Sequence, residues 1–94
     1  MKLYESDVDK LSNKVVDLIN EKKFKEAKKV CKLLEEKFPN QVDKYNRLAE
    51  VFKAEGNREE AIKYFNKTIE FMKEHSGFDE ESIKAVLKEM EMIK

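Results

Sequence analysis

The sequence predicts an all-α protein made of antiparallel helical hairpins, and three observations carry that prediction. Charged residues make up 43% of the 94-residue chain and apolar ones 40%, yet only two Gly and one Pro interrupt it, a composition suited to long helices with charged outer faces. Apolar residues recur three or four positions apart along nearly the whole length, the spacing of one helix face. Finally, the chain resembles itself when displaced by 34 residues. That shift places Val8-Asp9-Lys10 on Val42-Asp43-Lys44, Glu21 on Glu55, Glu26-Ala27 on Glu60-Ala61, Lys29 on Lys63 and Glu36 on Glu70. Pairs such as Leu11 with Tyr45, Leu18 with Phe52 and Phe38 with Met72 keep their apolar character.

Five helices follow in order. The first copy, about residues 8–41, has one apolar stripe at Val8, Leu11, Val15, Leu18 and Ile19 and a second at Phe24, Ala27, Cys31, Leu34 and Phe38. A turn is expected near Glu21-Lys23. Pro39-Asn40 then breaks the chain, because Pro removes a backbone donor and disfavours helix at the residue before it. The second copy, about 42–75, carries Val42, Tyr45, Leu48, Ala49 and Phe52, then Ala61, Phe65, Thr68, Ile69 and Met72, with Gly56-Asn57 between them. Gly there suits the left-handed conformation that ends a helix. A fifth helix, about 79–93, has Asp79 as N-cap and Phe78 with Ile83 as a hydrophobic staple. Its face of Ile83, Val86, Leu87, Met90 and Ile93 is expected to cover the second hairpin, while Leu3 and Tyr4 extend the first helix backward. All of this reads as a single domain, 1–94.

The second copy reads Tyr45-x2-Leu48-Ala49-x2-Phe52 and then Ala61-x3-Phe65, which resembles the tetratricopeptide repeat in both motif and period. Ala49 and Ala61 allow the two helices of a hairpin to approach closely, and the larger residues fill the space around them. The first copy departs from the pattern, with Lys14 where Leu is expected and Cys31 where an aromatic would stand. Pro39 closes the first copy, whereas the second has Lys73 at that point. The resemblance spans about residues 8 to 75 and implies a short right-handed solenoid whose concave groove holds a peptide or helical segment of another protein.

Carried over by the 34-residue register, the groove candidates are Ser12, Asn13, Val16, Ile19 and Asn20 from the first copy and Asn46, Arg47, Glu50 and Lys53 from the second, with Asp9 and Asp43 beside them. Some members of this family grip a C-terminal carboxylate with a Lys and Asn set. Here Ser12, Val16 and Arg47 occupy the matching positions and a third full repeat is missing, which argues against such a clamp. Val16 and Ile19 instead put apolar surface in the groove, as a helical or extended apolar ligand requires.

Other functions find less support in the residues. Twenty basic and twenty acidic side chains cancel, so no overall field draws in nucleic acid or an anionic membrane. Lys22, Lys23, Lys25, Lys28, Lys29 and Lys32 form a basic run, but four Glu share the stretch from Glu21 to Lys37 and its aromatic, Phe24, is assigned to the core; nucleic-acid binding there is the least favoured reading. His75 is the single imidazole and Cys31 the single thiol, predicted on a helix end and a core face respectively, so no catalytic residue, cofactor or metal site is assigned. A cytoplasmic protein is expected from the lone cysteine and the lack of a long apolar run. Two repeats are few for a solenoid, so a self-associating homodimer built on Val16 and Ile19 or on the first helix is the alternative to an open groove.

Overall fold

The computed structural model describes residues 7–75 and 80–93, and within them the chain is all-helical. The helices are α1 (Asp7–Asn20), α2 (Phe24–Lys37), α3 (Asp43–Glu55), α4 (Arg58–Glu74) and α5 (Glu80–Glu91). The break at Pro39-Asn40 falls between α2 and α3, where Gln41 N–H donates to the Phe38 carbonyl at 3.1 Å. Lys44 ties this linker down by donating from Nζ to the Pro39 carbonyl at 2.6 Å. The expected roles of Leu3, Tyr4, Phe78 and Asp79 lie outside the described residues.

The two hairpin turns share one backbone solution. Lys22 N–H bonds to the Ile19 carbonyl and Lys23 N–H to that of Leu18; 34 residues on, Gly56 N–H bonds to Lys53 and Asn57 N–H to Phe52. This is the pair of reversed bonds of a Schellman motif, which requires a left-handed residue just past the helix. Gly56 supplies it at φ 90° and Lys22, with a Cβ, is forced to φ 62°. The next helix is also capped differently: Asn57 Oδ1 accepts from Glu60 N–H at 3.4 Å, whereas Lys23 makes no side-chain cap bond.

α1 packs on α2 and α3 on α4, α3 lies against both helices of the first pair, and α5 lies against α4. Ala27, Ala49 and Ala61 are fully buried at these contacts, in keeping with the close approach expected of Ala49 and Ala61. Two apolar clusters result. One gathers Val15, Leu18, Ala27, Val30, Cys31, Leu34 and Val51. The other gathers Ala49, Ala61, Phe65, Ile69 and Met72 with Val86, Met90 and Ile93 from the C-terminal end. Thr68 is buried in α4 and its hydroxyl donates to the Tyr64 carbonyl at 2.8 Å, so the core contains a satisfied polar group.

Three details of the predicted core change. Val51 and Val30, outside the predicted stripes, are buried. α3 therefore has two apolar faces: Ala49 and Phe52 turn to the second cluster, Val51 and Leu48 to the first. Leu87, assigned to the covering face of α5, is instead 37% exposed. The contact with α4 is a narrow stripe through Ile83, Val86, Met90 and Ile93, and Leu87 lies beside it.

Candidate binding groove

The polar side chains where α1 meets α3 form a connected seam. Ser12 Oγ donates to Asp43 Oδ2 at 2.8 Å, and Arg47 Nε donates to Ser12 Oγ. Arg47 Nη1 also reaches both carboxylate oxygens of Glu50, at 3.0 and 2.9 Å. Ser12 is only 2% exposed, which corrects its placement in the groove: it is a joint of the seam, closed off from a ligand. Burial pushes the Glu50 carboxyl above its ordinary range, against the pull of the Arg47 guanidinium, and the nearby Glu89 adds to the rise while Lys53 opposes it.

Beyond the seam is a depression of about 380 Å³ lined by Val16, Ile19 and Asn20 of α1, Glu50, Lys53 and Ala54 of α3, and Glu89 of α5. Lys53 Nζ stands 3.4 Å from Glu89 Oε1 across it. Val16, Ile19, Asn20, Glu50 and Lys53 were all expected on this surface. Asn46 is half buried further along α3, its Oδ1 enclosed without a hydrogen-bond partner. Asn13 is placed elsewhere: it is exposed with Lys10, Lys14, Asp17 and Glu21 on a different surface of the first hairpin. Sequence reasoning missed Ala54 and Glu89. Ala54 was findable as the neighbour of Lys53 facing the same way as Glu50, whereas Glu89 arrives on a helix outside the 34-residue register.

The residues with reactive side chains, Cys31 and His75, do not line this depression. Cys31 is buried on α2 and its thiol is pushed up to about 12, chiefly by burial and further by the Glu50 charge, so it is neutral near pH 7. His75 caps α4, its ring stacked on Phe71 with centroids 3.9 Å apart and its Nδ1 2.9 Å from the Phe71 carbonyl. Among the described residues no group of three or more His, Cys, Asp or Glu could hold a metal ion.

The basic run on α2 is partly engaged within the fold. Lys28 Nζ contacts both Glu55 oxygens at 2.7 and 2.9 Å and lies over the Phe52 ring, and Lys23 Nζ is 3.2 Å from Glu21 Oε1. Glu21 lies in the turn between α1 and α2, as expected. Among the described residues no helix is long and apolar enough to cross a membrane. No protein-family model, curated protein or solved structure matches the chain.

Proposed function

We propose that the chain is a two-repeat module of the tetratricopeptide type, with α5 covering the second repeat, and that it acts as an adaptor holding a peptide or helical segment of another protein. The observation that carries this reading is the depression lined by Val16, Ile19, Asn20, Glu50, Lys53 and Ala54, because α1 and α3 present it where the family's register places its groove. Packing of α3 against both helices of the first pair and the matched turns 34 residues apart support the repeat assignment. The floor is half-buried apolar surface with polar groups around it, the makeup of a ligand groove.

A photo-crosslinking residue at Ala54, compared with one at Glu36 on the outer face of α2, tests the adaptor role. Capture at Ala54 that is lost in the Val16→Lys, Ile19→Lys double variant is the expected outcome. Equal capture from both positions, insensitive to the double variant, would refute it. Light scattering over a concentration range completes the test: a monomer is expected, and a dimer split by the double variant would make the depression an interface between copies.

A further inference from the structure

The lining of the depression is drawn from the carboxyl ends of three helices. Val16, Ile19 and Asn20 belong to the last turns of α1, which ends at Asn20; Glu50, Lys53 and Ala54 to those of α3, which ends at Glu55; and Glu89 to that of α5, which ends at Glu91. A helix carboxyl end carries the equivalent of about half a negative charge. Among the described residues, three such ends therefore converge with two carboxylates on a surface whose lining contributes one cation, Lys53, with Arg47 reaching Glu50 from the seam beside it. The last turn of α1 contains no basic residue to offset its end. Lys22 and Lys23, just past it, line a different surface with Phe24, Lys25 and Glu55.

The one cation is loosely held. Lys53 Nζ to Glu89 Oε1 is 3.4 Å, well beyond the separation of roughly 2.8 Å of a strong charge-assisted bond. Glu50 is gripped by Arg47 from its own helix, and burial holds its carboxyl above the ordinary range against that pull, with the nearby Glu89 adding to the rise. The rest of the lining, Val16, Ile19 and Ala54, is apolar.

We infer that the occupant is an amphipathic helical segment of a partner, seating an apolar side chain on Val16, Ile19 and Ala54 and placing a Lys or Arg one turn away between Glu50 and Glu89. This rests on the groove reading above and adds the sign of the partner's charge. The incoming cation takes over Glu89 from Lys53, which is free to swing into solvent on its long stem.

The test is a titration of the isotope-labelled protein, followed by amide chemical shifts, with three alanine-based helical peptides. Each carries the same Leu pair and differs in presenting Lys, Gln or Glu one turn away. The Lys peptide is expected to shift Ile19, Ala54 and Glu89 and to bind about fivefold tighter than the Gln peptide, the scale of one partly exposed charge pair. Glu89→Gln should erase that preference, and Lys53→Gln, which leaves Glu89 unpaired, should enlarge it. Equal affinity for the Lys and Gln peptides, or tighter binding of the Glu peptide, overturns the cationic occupant while leaving the groove in place. Failure of every peptide to shift the groove residues overturns both.

Discussion

Glu50 illustrates how much one side chain's setting differs from its composition-level reading as solvated charge. It is bound by Arg47 through two hydrogen bonds and still has its carboxyl raised above the ordinary value of 4.5, because burial outweighs the guanidinium. A carboxyl raised in the folded state binds protons more readily there than in the unfolded chain, so its contribution to stability falls as pH rises through and beyond 4.5. Glu50→Gln keeps an acceptor for Arg47 and removes that titration. Urea denaturation over a pH series should show the parent losing stability relative to the variant as pH increases from about 4.5, and parallel profiles would refute it. Cys31 makes a parallel point: with a thiol at about 12, it should react with disulfide reagents at pH 8 only as fast as the protein opens, so the rate should track urea concentration.

At the level of the helices, the informative comparison is between the turns after α1 and α3. They make the same two backbone hydrogen bonds, but one uses Gly56 and the other Lys22 in the left-handed region. A Cβ there costs about 1–2 kcal/mol, of which glycine's greater freedom in the unfolded chain returns about 0.4–1. Lys22→Gly is therefore expected to stabilise the protein by about 0.5–1 kcal/mol, measured as a higher urea midpoint with an unchanged slope. Gly56→Ala should lower it by about 1 kcal/mol through backbone strain, since a Cβ at Gly56 would meet nothing within 4 Å. Lys23→Asn should add to the gain from Lys22→Gly by supplying α2 with the kind of side-chain cap that Asn57 gives α4.

For the molecule as a whole, α3 is the central element, because it feeds both apolar clusters and carries most of the polar seam. The face it turns to the first hairpin presents Leu48 and Val51; the 34-residue equivalents on α1 are Lys14 and Asp17, both exposed. Lys14, which departs from the expected Leu, thus lies with Asp17 on a polar face of α1. Lys14→Leu with Asp17→Val should restore a stacking face and drive self-association, seen as a concentration-dependent rise in mass by light scattering. A double variant that stays monomeric at high concentration would show that the charges on this flank are not what prevents stacking.

The sequence by itself determined the helices, their order and the break at Pro39, because a helix's apolar period and its breakers are local and survive without knowledge of any neighbour. The tetratricopeptide resemblance, carried through the 34-residue register, named Val16, Ile19, Asn20, Glu50 and Lys53 together, and these five line one depression between α1 and α3. Tertiary structure alone decided the rest. Ser12 is closed off because Asp43 and Arg47 converge on it, and Val51 is buried because a second hairpin covers a face of α3 that a single-stripe reading leaves to solvent. Glu89 joins the groove, and Leu87 stays outside the core, because of the angle at which α5 settles on α4. Such facts depend on which surfaces meet, and one helix's periodicity holds no information about the orientation of the next.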